Sequence, residues 1–224
     1  MEKNTTTLKL GSVNAYLLKA TGGFVLIDSG FPWQWPRLKA ALEAEGCVPG
    51  TLRLIVLTHG DIDHCGNCAQ LRREYGAPIA VHREDVSEVE TGIPLKRSSP
   101  TLLGKTILLM GAAMFKLRGK VHLETFSPDL ILEDGESLEG YGLKASILHL
   151  PGHTKGSIAI LTEDGSLFAG DTFFNMKHAS QPIQDVDDYR ASLEKIKPLL
   201  GRIRVVYPGH GKSFPGERIS RITI

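Results

Sequence analysis

The chain has 224 residues, 42% of them hydrophobic, with 26 basic against 25 acidic side chains and a formal charge of +1. That near-balance, without a basic stripe, excludes binding built on neutralising a phosphate backbone, so no nucleic-acid partner is expected. The longest apolar run, ILLMGAAMF at 107–115, is too short for a membrane span, and MEKNTTTLKL lacks the regions of a secretory signal.

Taken in chain order, NAYLLKA and GFVLIDSG are apolar runs joined at TGG, which predicts a β-hairpin. WPRLKAALEAEG, with Pro36 near its start and Gly46 at its stop, predicts an amphipathic helix. LRLIVLT is short and apolar, as in a buried strand with neighbours on both sides. THGDIDH (58–64) falls in the loop after it, NCAQLRREYG predicts a helix ended by Gly76, and APIAVH a short strand. Residues 83–122 begin with a charged helix-like piece and pass through TGIPLKRSSP into TLLGKTILLMGAAMFKLRGK. This region is read as a helical lid insertion at about 92–120 or as a helix packed on the core. Its apolar 101–119 segment would equally suit a dimer interface.

From residue 129 onward, LILEDG, LKASILHL, SIAILTED and SLFAGD predict strands, DDYRASLEKIKPLL a helix at about 187–200, and IRVVYPGHG a last strand. Two similar halves without a strict βαβ repeat suggest an α/β fold, two packed β-sheets with helices on the outer faces: a four-layer αββα sandwich. No linker divides the halves, so residues 1–224 are expected to form a single domain.

Four stretches at strand ends carry metal-capable side chains: THGDIDH (58–64), PGHTKGS (151–157), AGDTF (169–173) and YPGHG (207–211). Loops at strand ends are where a rigid scaffold presents functional groups. Imidazoles and carboxylates in this mixture suit divalent cations such as zinc, iron or manganese. A carboxylate between two such ions can bridge them, and water held by both ionises near neutral pH.

The order His-x-Asp-x-Asp-His, then Gly-His, Gly-Asp and Gly-His resembles the metallo-β-lactamase superfamily over roughly residues 10–215. LIDSG (26–30) is similar to that family's early strand and turn, whose aspartate supports the site. The resemblance implies the αββα sandwich with mixed sheets and two divalent ions, zinc ahead of iron or manganese. It implies that His59, Asp61 and His153 hold the first ion, that Asp63, His64 and His210 hold the second, and that Asp171 bridges. The Asp61 position is a histidine in most members. Three readings follow: Asp61 ligates through oxygen, its short side chain leaves the first site weak, or a harder ligand set shifts preference from zinc toward iron or manganese. Direct ligation is the reading adopted, because the loop otherwise buries an unpaired carboxylate beside a cation.

Cys65 and Cys68 form a C-x-x-C at a predicted helix start, where redox chemistry competes with a reading as two small buried residues; the latter is adopted. Three cysteines in all, an odd number, point to reduced thiols and a cytoplasmic setting. His82 and His149 are read as hydrogen-bonded structural residues, and Lys155 as solvent-facing. Trp33 and Trp35 either wall the cleft or cap the following helix. Asn175, Lys177 and His178 follow Asp171 closely and are candidates for contacting substrate.

The expected activity is that of a metallo-hydrolase attacking an ester, thioester, lactone or similar carbonyl of a small-molecule substrate, with Asp63 as the catalytic group managing the proton. An iron-dependent oxidoreductase on the same scaffold is the alternative, and Asp61 is the feature that supports it.

Overall fold

Side chains alternate across a strand with period two, and here that alternation divides the strand residues among three separate cores. The computed structural model describes residues 4–93, 123–175 and 183–222. One sheet has six strands in the order β1 (Thr5–Leu10), β2 (Val13–Ala20), β3 (Gly23–Ile27), β4 (Leu52–Val56), β5 (Ile79–His82) and β6 (Leu130–Leu132). The pairs from β1 to β3 are antiparallel and those from β3 to β6 parallel. The other sheet has five, in the order β11 (Phe214–Pro215), β10 (Val205–Pro208), β9 (Ser166–Gly170), β8 (Ile158–Thr162) and β7 (Ala145–His149). Only its β9–β10 pair is parallel.

Val25 and Ile27 of β3 and Leu54 and Val56 of β4 share a buried cluster with Ile147, Ile158, Ile160 and Phe168 of the second sheet. The Phe168 ring lies 5.2 Å from Tyr16 and 4.8 Å from Tyr207, which knits the sheets at their centre. Leu26 and Ile55, one position out of phase, join the outer cluster with Leu38 and Leu42 of α1 (Trp35–Ala44). A single turn, α2 (Ile62–Cys65), precedes α3 (Cys68–Tyr75), whose Leu71 and Tyr75 complete that layer. After β5 comes α4 (Val86–Thr91). Ala159, Leu161, Leu167 and Ala169 face outward from the second sheet onto Ile196 of α5 (Val186–Ile196). The layers run helix, sheet, sheet, helix.

The local signals explain most element ends. Gly76 closes α3 in the left-handed conformation at φ 72°. Asp185 caps α5 by accepting from the Asp187 and Asp188 amides. The helix predicted to reach 200 stops at Ile196 and tightens into a 3-10 turn, Lys197–Leu199, around Pro198, whose ring cannot continue the α ladder. Among the described residues, three strands or α-helical turns lie outside the sequence expectation. TTTLKL forms β1, although only Leu8 and Leu10 of it are buried. Ile62–Cys65 is a helical turn inside the predicted loop, and Phe214–Pro215 adds a two-residue edge strand. The expected lid at 92–120, beyond its first two residues, and the apolar 101–119 segment lie outside the described residues. Among those described, no helix is long and apolar enough to cross a membrane.

Candidate metal centre

The strands β3, β4, β9 and β10 each lead into a loop at one edge of the sandwich. Asp28, straight after β3, adopts φ 60°, a left-handed conformation that aspartate tolerates better than most residues. Its carboxylate accepts from the Thr58 amide at 2.9 Å and from the Thr58 hydroxyl at 2.9 and 3.1 Å. It also accepts from His64 Nδ1–H at 2.9 Å. With its own proton given to Asp28, the Thr58 hydroxyl accepts from His59 Nδ1–H at 3.0 Å. His210 Nδ1–H donates to the Ser12 carbonyl at 2.7 Å. Three imidazoles are thereby held by Nδ1–H with Nε2 turned toward the carboxylates, the orientation that metal-binding histidines require.

Those Nε2 atoms meet the carboxylates. Asp61 Oδ2 lies 3.1 Å from His153 Nε2 and 3.4 Å from His59 Nε2. Asp63 Oδ2 lies 3.3 Å from His210 Nε2 and 3.8 Å from His64 Nε2. Asp171 stands between the sets: Oδ1 is 3.4 Å from His64 Nε2, and Oδ2 is 3.4, 3.6 and 4.0 Å from the Nε2 atoms of His210, His153 and His59. Donors bound at about 2.0–2.1 Å to one tetrahedral ion stand roughly 3.4 Å apart, so this spacing fits. Three groups of ligand atoms lie within 4.8 Å of one another: His59, Asp61 and His153; His59, His64 and Asp171; Asp63, His64 and His210. His59 Nε2 and His64 Nε2 are buried and make no hydrogen bond among the described residues. A bound cation would satisfy such nitrogens, whose isolation is otherwise costly.

Asp61 occupies the N-cap position of α2 without capping it with its side chain. An aspartate there ordinarily accepts from the amides of the first turn. This one turns its carboxylate toward His59 and His153 instead.

The electrostatics are those of a tightly coupled cluster. Burial holds His59 well below the ordinary histidine value, and His64 and His153 push it the same way. Burial opposes charge on His64 and His210 too, but the carboxylates win: Asp171, Asp28 and Asp63 raise His64 well above its usual value, and Asp171 and Asp63 push His210 up to about 10. Against the same burial, His64 and His210 hold Asp63 down at about 2 and Asp171 well below the carboxylate range. Two cationic imidazoles thus balance the carboxylates in the metal-free protein, and metal ions would replace those protons.

The backbone is shaped to the cluster. A Cβ on Gly209 would stand 2.2 Å from Asp171 Oδ1 and 2.7 Å from His64 Cε1. The adjacent loop is clamped from β2, where the Asn14 side-chain amide donates to the Pro208 and Gly211 carbonyls at 3.0 and 2.9 Å. Thr58, Ser12 and Asn14 were not singled out from the sequence, because they carry no metal-ligand signal and their partners are mostly remote in the chain.

The remaining candidates are placed as follows. Cys65 and Cys68 are fully buried and unlinked; burial pushes the Cys68 thiol up to about 12 and Cys65 well above its usual value. His82 and His149 stack face to face at 3.9 Å; His149 donates to the Lys155 carbonyl, and His82 Nδ1 accepts from the Glu84 amide. Trp33, 42% exposed, stacks on Phe31. Asn175 directs its side chain away from the centre, donating to the Lys212 carbonyl at 2.7 Å and accepting from Arg218 at 3.4 Å. Phe174, next to it, stacks parallel on the His210 ring at 5.0 Å. Lys177 and His178 lie outside the described residues.

The chain is similar to known proteins along most of its length. The chain is 26% identical over 223 residues to an acyl-coenzyme A thioesterase of Bos taurus, covering 93% of this chain and 76% of that protein. It is 29% identical over 165 residues to the hydroxyacylglutathione hydrolase GloC of Haemophilus influenzae, covering 71% of this chain and 69% of that protein. Among solved structures, TTHA1623 in a di-iron-bound form matches with a TM-score of 0.66 at 28% identity, over 97% of this chain and 96% of that one. The family model of the metallo-beta-lactamase superfamily matches residues 8–210, a span that takes in most strands of both sheets and all seven clustered side chains, and the chain belongs to that superfamily.

Proposed function

We propose that this metallo-hydrolase cleaves thioesters and holds two divalent ions in the centre described above. His59, Asp61 and His153 would hold one ion, Asp63, His64 and His210 the other, and Asp171 both. The observation that carries this reading is the position of Asp171, whose two oxygens face the Nε2 atoms of both histidine sets at 3.4–4.0 Å. Four imidazoles with three carboxylates suit zinc, the identity we assign, and equally leave iron as an outcome of elemental analysis. Thioesters are favoured within the carbonyl class because the two relatives described above are named for thioester substrates. A cytoplasmic location belongs to the same proposal and rests on three free, buried thiols.

A divalent pair supplies Lewis acidity toward a carbonyl oxygen and lowers the pKa of water toward neutrality. The chain's own groups do the rest. The fixed Nδ1–H bonds of His59, His64 and His210 keep the donor atoms in place without reorganisation during the reaction. Asp63 is the most open of the three clustered carboxylates, 20% exposed at its side chain against 12% for Asp61 and 5% for Asp171. It is ionised at neutral pH and is assigned to take the proton of the attacking water and pass it to the departing sulfur. One C–O bond forms, the C–S bond breaks, and a carboxylate and a thiol leave. Hydrolysis by activated water needs no nucleophilic side chain, and Cys65 and Cys68 are too buried to serve as one.

The test is release of free thiol from acyl-coenzyme A and hydroxyacylglutathione substrates, before and after chelation. The expected result is turnover that chelation abolishes and added zinc restores, with Asp171→Ala inactive and depleted of both ions. Turnover of oxygen esters or lactones without thioesters would overturn the substrate class. Chelator-insensitive turnover in a metal-free preparation would overturn the mechanism.

A further inference from the structure

Asp85 lies 21 positions or more along the chain from every clustered side chain, and it is fully buried. It stands just after β5, at the start of α4. Its Oδ2 accepts from the Gly60 amide at 2.9 Å and from the Thr154 hydroxyl at 2.8 Å, and its Oδ1 accepts from the Gly156 amide at 2.8 Å. One carboxylate thus holds two loops from opposite sheets. Gly60 lies between His59 and Asp61, and Thr154 directly follows His153, so both loops deliver the first ion's ligands. The His153 loop is moulded around this group, since a Cβ on Gly156 would stand 2.5 Å from Asp85 Oδ1, and the other loop is packed on α4, where a Cβ on Gly60 would meet the Glu88 side chain at 2.8 Å. The same seam is crossed by the Asp61–His153 contact at 3.1 Å and by a backbone bond from Ile158 to Thr58 at 2.9 Å.

We propose that Asp85 is a positioning residue for the first metal ion, setting the separation of the His59–Asp61 loop from the His153 loop. A buried carboxylate is costly unless its oxygens are met by donors, and here the three donors sit in the two loops that carry the first ion's ligands. The second ion's ligands hang on other supports: His64 on Asp28 and His210 on the Ser12 carbonyl. Loss of Asp85 therefore slackens one ion and spares the other. Amide replacement is enough, because Asp85→Asn turns an NH2 group toward donors that the carboxylate had accepted.

This inference rests on the two-ion reading above. The experiment titrates zinc into the chelated protein against a chromogenic chelator, for wild type, Asp85→Asn, Asp61→Ala and the double variant. The expected result is a loss of about 10- to 100-fold in affinity for one ion in Asp85→Asn, with the other unchanged. The weakened ion should be the one that Asp61→Ala loses, and the double variant should lose nothing further there. Thr154→Val, which removes one of the three donors, should weaken the same ion to a smaller degree and decides the matter if Asp85→Asn does not fold. A merely structural carboxylate would lower thermal stability and slacken both ions together, and that result, or unchanged affinity for both, overturns the proposal. Wild-type protein that binds no zinc would instead overturn the two-ion reading.

Discussion

Asp61 shows how much of this protein is decided by where one side chain turns. As an N-cap it could have accepted from the amides of α2; instead its carboxylate lies 3.1 Å from His153. Asp61→His should keep kcat/KM within about tenfold, a barrier change of ~1.4 kcal/mol, while moving metal preference toward zinc. Competition between zinc and manganese, read by elemental analysis, checks this, and unchanged selectivity would sink the hard-ligand argument. Asp28 acts one step back, holding both Thr58 and His64. Asp28→Asn should weaken both ions, the second about 10- to 100-fold through His64 and the first less, through Thr58 and His59, whereas Asp85→Asn spares the second. The ligand candidates were legible as residues because their types and spacing are local. Their supports, Asp85, Thr58 and the Ser12 carbonyl, were not, because nothing in a lone Asp, Thr or Ser announces a partner brought from elsewhere in the chain.

At the scale of elements, the site is made of strand ends that can approach closely only where no Cβ intervenes. Gly209→Ala would drive a methyl group against Asp171 and His64. A displacement of this size should cost about 100-fold or more in activity, with zinc content falling in parallel and the far-ultraviolet circular dichroism unchanged. The turn from α2 to α3 carries Cys65 and Cys68, and burial outweighs any activation by the helix start. Native protein should therefore resist alkylation at about pH 8, while denatured protein reacts at all three thiols; mass spectrometry of the two samples decides. The long apolar runs that became β2, β3, β4, β8 and α1 were legible from periodicity. The strand β1 was not, because its threonines and lysine leave only Leu8 and Leu10 as an apolar signal, nor was α2, whose four residues are too few to show a helical period.

At the scale of the molecule, the clustered candidate ligands are divided between the sheets. His59, Asp61, Asp63 and His64 follow β4 of one sheet, while His153, Asp171 and His210 follow strands of the other. Each ion would cross-link the two sheets, so zinc at a hundred times its dissociation constant should add about 2.7 kcal/mol of stability. Thermal unfolding with and without chelator measures that gain. The chelated protein should also show a pH signature. His210, held at about 10 against an ordinary 6.5, stabilises fully below about pH 6.5 and loses that contribution as pH rises through about 10. The raised His64 acts in the same direction. His59, held low, withdraws stability as pH falls below about 6.5, and Asp63 as pH falls from about 3.8 through 2. Stability of the chelated protein should peak near about pH 6.5 and fall on both sides. Saturating zinc should remove the alkaline decline, because the ions take the place of the histidine protons.

The sequence by itself determined the strand and helix alternation, the four turns that carry the candidate ligands and the family they point to. Each of these is written in neighbouring residues, as a hydrophobic period or a short motif. Only the tertiary structure decided that His59 and His153, from opposite sheets, share Asp61, that Asp171 faces both sets, and that Asp85 ties two loops whose residues stand 25 and 71 positions from it on either side. Those outcomes depend on how two sheets pack across a common core, and packing joins groups by distance in space rather than by order along the chain.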